Sequence, residues 1–308
     1  MNIVLLPVVG FAVLGLLLVA VVAVVLLLTS RPAPDPSQAA TAARHHAGVV
    51  TGIAWTALVL TLLLGPAVAG LLGGLAEGVA YGLVPAVAGA LFVGVHAIGE
   101  LTWPRPTGSV RRAGLERRGT DDVAPRGLRR LLWGWTGLVA VIAVVGGTIA
   151  TDGRQISRTF ENGLASSGPF PGWFYGAPLL LACLVVLVAT EGVLRVVASR
   201  SAVMDAQPVW DAALRRLSAH RVLRGAQLVV GLTAAGLLLT AGMALRNVGN
   251  AFVDDGAGSP LHSGAGAVAV ALAVGVGLAA LVVAVLPGRP AGQLVAPAGP
   301  LPAAAAPR

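Results

Sequence analysis

Four ionisable residues of this sequence lie inside long apolar stretches or at their edges. Glu191 and Arg195 stand four residues apart, as do His96 and Glu100, so each pair would share one face of a helix. Ionisable groups in apolar surroundings often form proton, ion or substrate sites. For Glu191 and Arg195 we favour a simpler interpretation, an ion pair on one helix face in which Arg195 extends towards lipid headgroups.

His96 and Glu100 belong to the side-chain types that bind metal ions, and a His can also hold a haem. Either kind of site needs further ligands, and the sequence has no second His inside a long apolar stretch. The adjacent His45 and His46 have no neighbouring Cys, Asp or Glu that would complete a metal site. We therefore expect no metal ion and no cofactor.

Glu77 is a further candidate because it lies between two apolar stretches, in an expected tight turn. Small residues recur every four positions around it: Gly70, Gly74, Gly78, Gly82, Ala86, Ala90 and Gly94. This spacing lets helices approach each other closely. Gly65-Pro66 and Pro85 offer an alternative, in which the helices are broken and form a substrate site as in transporters. We favour close packing.

The motifs of common enzyme classes are missing from the sequence. It contains no zinc-protease H-E-x-x-H, no G-x-S-x-G nucleophile turn, no phosphate-binding Walker loop and no dinucleotide fingerprint. Asp121-Asp122 suits the start of a helix, and Asp254-Asp255 lies in a Gly-rich loop, but neither pair has the further ligands of a phosphate–metal site. We therefore expect no catalytic residues and no enzymatic activity.

The composition indicates a protein that lives in a bilayer. Of the 308 residues, 56% are hydrophobic and only 11% are charged, against about 25% charged in a typical soluble domain. The net charge of +8 would suggest nucleic-acid binding in a soluble protein. Here the basic residues are all Arg and lie in short segments between apolar stretches, so we expect no nucleic-acid partner. The single cysteine, Cys183, cannot form an internal disulfide.

Seven stretches are long and apolar enough to cross the hydrocarbon core, which takes about 20 helical residues. The predicted fold class is therefore all-α, a polytopic transmembrane helical bundle that forms one domain over residues 1–287. The tail over 288–308 is rich in Pro and Ala and is expected to be disordered. The predicted spans are 3–28, 48–70, 78–99, 131–150, 176–197, 225–245 and 264–286.

The distribution of Arg predicts the orientation of these spans. Eighteen of the 21 Arg residues follow spans one, three, five and seven, and only Arg154, Arg158 and Arg246 fall on the other side. Because Arg-rich segments stay in the cytoplasm, the N-terminus is expected outside and the C-terminus inside, in a bacterial cytoplasmic membrane. Aromatic residues mark the expected boundaries: Trp103, Trp133, Trp135, Trp173, Phe174 and Tyr175.

Two segments carry further organisation. The helical hairpins over 126–197 and 221–286 share a faint sequence pattern that would fit an old duplication, although chance similarity is an equal explanation in so biased a composition.

Residues 208–221 are predicted to form a short amphipathic helix in which Asp211 and Arg215 pair at i,i+4. We expect it to lie at the inner interface, with anionic lipid headgroups as partners; packing on the bundle is the alternative.

These features favour a non-enzymatic membrane component that assembles with membrane-protein partners or with its own copies. The alternative is a small permease or transporter component in which Glu191 or Glu77 lies in a polar pathway. An intramembrane enzyme is a third hypothesis, but it needs several polar side chains at one depth, and the sequence shows no such set.

Overall fold

The computed structural model describes residues 37–103, 119–203, 208–253, 256 and 258–286. Within these residues, six long apolar helices could each cross a bilayer, and the all-α fold class is confirmed. The helices and strands in chain order are α1 (Gln38–Ala69), α2 (Gly74–Leu101), α3 (Thr120–Val123), α4 (Arg126–Ile149), β1 (Ile156–Phe160), β2 (Gly163–Ser167), α5 (Trp173–Ser199), α6 (Pro208–Asn250) and α7 (Pro260–Val285).

The six long helices coincide with the second to seventh predicted spans. The predicted first span over 3–28 and the tail over 288–308 lie outside the described residues, as do Asp254 and Asp255. The helices α1, α2 and α4 to α7 alternate in direction. They define two ends of the bundle: the Arg-rich end, which holds Arg129, Arg200, Arg215 and Arg221, and the hairpin end, which holds β1 and β2.

Two helices extend further at the Arg-rich end than the sequence indicated. The helix α1 starts ten residues before the predicted span, where the Ser37 hydroxyl accepts a hydrogen bond from the Ala40 amide at 3.1 Å and caps the first turn. The helix α6 is continuous over 43 residues, or about 65 Å at 1.5 Å per residue. Residues 208–221, predicted as a separate interfacial helix, are therefore the first turns of α6.

The extensions pack on each other instead of lying on the membrane surface. Ala40, Ala43 and Ala47 of α1 form an apolar cluster with Trp103 after α2 and with Trp210 and Leu214 of α6. Trp210 and Leu214 belong to the apolar face on which the interfacial prediction rested, and both are buried. That prediction is wrong because the chain itself covers this face.

The alternative of broken helices does not hold, because α1 and α2 run without interruption through Pro66 and Pro85. The turn between them covers residues 70–73, and Gly73 has a left-handed φ of 66°, which glycine adopts without strain. Glu77 therefore lies in the first turn of α2 and not in the connecting turn.

The helix α6 lies at the centre of the bundle and contacts α2, α4, α5 and α7. Close contact with α7 depends on glycine, since a Cβ built at Gly242 would lie 2.7 Å from the Gly266 carbonyl oxygen. Small residues therefore bring α6 and α7 together closely, as expected for helices in a bilayer.

The segment between α4 and α5 contains an antiparallel β-hairpin that the sequence analysis did not predict. Ile156 pairs with Ser167, and Phe160 pairs with Gly163 at the turn. Ile156 and Phe170 pack on α6 at the hairpin end of the bundle, in an apolar cluster with Ala241, Ala244 and Val248. The hairpin thus closes the bundle at this end.

Candidate functional site

A polar crevice lies at the Arg-rich end, where α1, α2 and α6 meet. The free space within it is only about 10 Å³, enough for roughly one water molecule. The polar side chains that line it are His46 and Thr51 of α1, His96 and Glu100 of α2, and Ser218 and Arg221 of α6. The predicted pair His96 and Glu100 therefore does face a cavity, together with groups that the sequence did not connect to it.

Glu100 forms a nearly buried ion pair beside this crevice. Its Oε2 accepts a hydrogen bond from Nη1 of Arg200 at 2.9 Å, and the two side chains are only 7% and 2% exposed. The Arg200 guanidinium lies over the Trp103 ring at 3.7 Å from its centroid. Burial lowers the pKa of Arg200 from its ordinary value, and the Glu100 carboxylate opposes this shift. The pair joins the end of α2 to the end of α5.

Asp211 and Arg215 form the predicted i,i+4 pair, with 2.8 Å between Oδ2 and Nε. The pair is buried between helices and not placed on a surface, since the two side chains are 3% and 2% exposed. Arg215 Nη1 also donates to the carbonyl oxygens of Val197 and Ala198 at 2.9 and 3.0 Å. A cation on these last carbonyls caps α5 and opposes its negative dipole end.

His96 is 3% exposed and packs edge-on against Phe92, with 4.8 Å between the ring centroids. Its Nε2 has no hydrogen-bond partner among the described residues. Across the crevice, His46 Nε2 lies 2.9 Å from the Gly99 carbonyl oxygen. No group of three or more His, Cys, Asp or Glu residues that could hold a metal ion occurs in the described part of the chain.

Arg221 extends from α6 towards α1. Its Nη1 donates to the Ala47 carbonyl oxygen and to the Thr51 hydroxyl, both at 3.3 Å. Arg224 and Arg44 lie close enough to repel its charge. Arg224 itself donates to the Ala284 carbonyl oxygen at the end of α7.

Glu191 forms its ion pair with Arg129 of α4 and not with the predicted Arg195. Nε and Nη2 of Arg129 donate to its two oxygens at 2.8 and 2.9 Å, and Trp133 Nε1 donates to Oε1 at 3.1 Å. Arg195 is exposed and attracts the carboxylate without a close contact. The prediction failed because the start of α4 brings a guanidinium fork, which fits both carboxylate oxygens at once.

Glu77 lies at the opposite end of the bundle from His96 and Glu100. It is half-buried in the first turn of α2 and interacts with the Tyr81 hydroxyl one turn later. Next to it, a Cβ built at Gly78 would lie 3.0 Å from the Tyr175 ring. Gly78 and Gly82 thus serve the predicted close packing at the contact between α2 and α5, whereas a Cβ built at Gly74 or Gly94 would meet nothing within 4 Å.

About one turn in from the Arg224–Ala284 contact lies a fully buried amide, Gln227, which the sequence analysis did not single out. Its Oε1 accepts from Trp135 Nε1 at 3.2 Å, and its Nε2 donates to the Ala280 carbonyl oxygen at 3.0 Å. Buried Thr190 and Thr233 donate to backbone carbonyls of their own helices at 2.7 and 2.9 Å. These contacts satisfy the polar groups locally, as hydrocarbon surroundings require. A lone Gln in the apolar stretch 225–245 was the signal that could have found this link.

The outward surface of the long helices is apolar. Examples of exposed side chains are Leu64, Val141, Val188 and Leu278, which belong to four different helices. So large an apolar surface around a bundle fits lipid as its solvent. The protein is a multi-pass integral membrane protein. No protein-family model, curated protein or solved structure matches this chain.

Proposed function

We propose that this protein is a non-enzymatic component of the bacterial cytoplasmic membrane that acts by assembling with other membrane-protein subunits. The observation that carries the proposal is the outer face of α7. This helix contacts α6 through a narrow buried side, formed by Gly266, Ala273, Ala280 and Ala284. Most of its other residues are exposed within the described part of the chain.

That free face has the form of a helix-association surface. Exposed small residues recur along it every four positions at Ala267, Ala271, Gly275 and Ala279. A Cβ built at Gly275 would meet nothing within 4 Å, so the notch is open. Helices associate in bilayers where small residues let backbones approach, because packing and not hydrophobicity drives the contact. A transmembrane helix of another subunit, either a second copy or a different membrane protein, would fit this face.

The arrangement of the polar groups supports a role other than catalysis. In the described part of the chain, Gln227, Thr190 and Thr233 bond to backbone or to Trp135. The close ion pairs lie at the Arg-rich end. Catalysis in the membrane needs polar side chains that converge around a substrate. The buried hydroxyls and the buried amide are instead hydrogen-bonded within the bundle, and the polar crevice at the Arg-rich end has space for about one water molecule.

The permease alternative draws less support from the same contacts. It needs a polar route that reaches Glu191 or Glu77, but both oxygens of Glu191 are held by Arg129. Glu77 lies at the hairpin end, and neither carboxylate lines the polar crevice. The polar crevice lies at one end of the bundle and does not supply a route for a substrate across the bilayer.

A pair of identical substitutions tests the assembly role. Ala271 lies on the notched face, whereas Ala265 is equally exposed but lies on the flank of α7. In native membranes solubilised in mild detergent, Ala271→Leu is expected to shift the complex to the size of the monomer, and Ala265→Leu is expected to leave it unchanged. Mass photometry of the wild type with and without a differently tagged second copy distinguishes self-assembly from a different partner. A monomeric wild type, or equal behaviour of the two variants, would contradict the proposal.

A further inference from the structure

We propose that the connection between α1 and α2 is embedded in the bilayer, with its leucines among the lipid acyl chains at the hairpin end. Residues 70–76, which form the turn and the first residues of α2, are called the leucine turn below. The inference is independent of the assembly role, because it concerns α1 and α2 and not the face of α7. It rests on the side chains of the leucine turn, on its continuity with the lipid-facing surface and on its height in the bundle.

The leucine turn is exposed and apolar throughout. All seven of its residues are exposed, and none of them has a polar side chain. Leu71, Leu72 and Leu75 are 84%, 64% and 49% exposed. A turn that lies in water is normally rich in residues such as Asn, Asp and Ser, and apolar side chains are driven out of water. A surface of this kind therefore fits an apolar partner.

The leucine turn continues the lipid-facing side of α1. Leu64 and Val68 lie on the last turns of α1 and are 59% and 62% exposed. Residues 47–76 contain no charged side chain, so no charge separates the exposed side of α1 from the leucine turn before Glu77. Lipid surrounds the outward surface of the long helices, and an unbroken apolar surface assigns the same partner to the leucine turn.

The length of α2 places the leucine turn at the edge of the hydrocarbon core. His96 lines the polar crevice at the Arg-rich end, and Leu75 lies near the start of the same helix. At 1.5 Å per residue the two positions are about 32 Å apart along the axis. The hydrocarbon core is about 30 Å thick, and any tilt of the helix shortens the height that it covers. The turn therefore ends where the acyl chains end and does not extend into water.

The backbone limits how deep the leucine turn can lie. Gly73 precedes α2 and provides no side-chain cap, and the first amides of a helix have no carbonyl partner within it. Such amides are costly in hydrocarbon, whereas headgroup and water oxygens accept their hydrogen bonds at the interface. The half-buried Glu77 follows directly and needs the same polar layer. The leucine side chains thus extend into the acyl chains while the backbone stays at the level of the headgroups.

Quenching of a fluorescent label tests this placement. The full chain with Cys183→Ser carries the label NBD on Leu72→Cys or, as the control, on Leu164→Cys of the β-hairpin, and is reconstituted at one copy per nanodisc. The two leucines are matched, since they are 64% and 66% exposed. A lipid with a nitroxide near the glycerol end of its acyl chain should quench the label at Leu72→Cys more strongly. Aqueous iodide should quench the label at Leu164→Cys more strongly.

Two results would overturn the proposal. Equal quenching of the two positions by either quencher would show that the leucine turn is no closer to lipid than the β-hairpin is. Protection of Leu72→Cys from iodide and from the nitroxide lipid alike would show that another part of the chain covers the turn, because one copy per disc excludes a second copy. Leu71→Cys is expected to give the same order as Leu72→Cys and keeps the test valid if that variant does not fold.

Discussion

The Arg129 guanidinium holds the Glu191 carboxylate through two hydrogen bonds of 2.8 and 2.9 Å, although the residues stand 62 positions apart. The contact joins the start of α4 to the last turns of α5. Asp121 of α3 adds a third bond to the same guanidinium at 2.6 Å. One fork-shaped cation thus holds three helices together at the Arg-rich end.

Loss of this contact is expected to weaken the bundle. Glu191→Gln leaves Arg129 without its bidentate partner and should lower the free energy of unfolding by about 1–3 kcal/mol. Arg195→Gln should change it by less than about 0.5 kcal/mol, because Arg195 is an exposed residue without a close contact. Unfolding titrations in mixed micelles measure both values. An equal loss of unfolding free energy in both variants would contradict this assignment and favour the predicted ion pair between Glu191 and Arg195.

Removal of Glu100 is expected to cost more, because its partner cannot reach water. The Arg200 side chain is only 2% exposed, so Glu100→Gln leaves a buried charge unpaired and should cost about 3–5 kcal/mol. The double variant Glu100→Gln/Arg200→Gln should cost less than the sum of the two single variants. A double-mutant cycle in the same titration measures the coupling. Additive costs would mean that the pair does not act as a unit.

Arg215 is expected to be the most important contact between the extension of α6 and the bundle. Arg215→Gln removes a buried ion pair and two caps on the end of α5, so we expect a loss of about 3–5 kcal/mol. Limited proteolysis should then cut the chain near residue 200 much faster than in the wild type. The control is Arg195→Gln, which removes an exposed Arg of α5 that makes no close contact with Glu191 and should leave the rate unchanged. Similar cleavage of both variants would contradict this role.

Local features of the sequence were sufficient to place the long helices, because apolar stretches of about 20 residues are set by bilayer thickness. The Asp211–Arg215 pair was also predictable, since it depends only on helical spacing. The β-hairpin had a local signal in the sequence, the Asn162-Gly163 dipeptide between short polar-apolar segments. In the structure the two turn residues are Glu161 and Asn162, and Gly163 already pairs with Phe160.

The partners of Glu191 and Glu100 were not predictable from spacing. Arg129 and Arg200 reach them from other helices, 62 and 100 positions away, and only the packing of the bundle brings these helices together. The prolines left two alternatives open in the sequence. Their local effect is to break a helix, but α1 continues through Pro66 and α2 through Pro85.

Cysteine labelling in intact cells is the most direct test of the central claim, a bilayer-embedded bundle whose Arg-rich end faces the cytoplasm. The buried Cys183 is first replaced by Ser, and single cysteines are then introduced at exposed Leu164 in the hairpin and at exposed Ser201 after α5. A membrane-impermeant maleimide should label Leu164→Cys in intact cells and Ser201→Cys only after lysis. Labelling of Ser201→Cys in intact cells, with Leu164→Cys protected until lysis, would contradict the account.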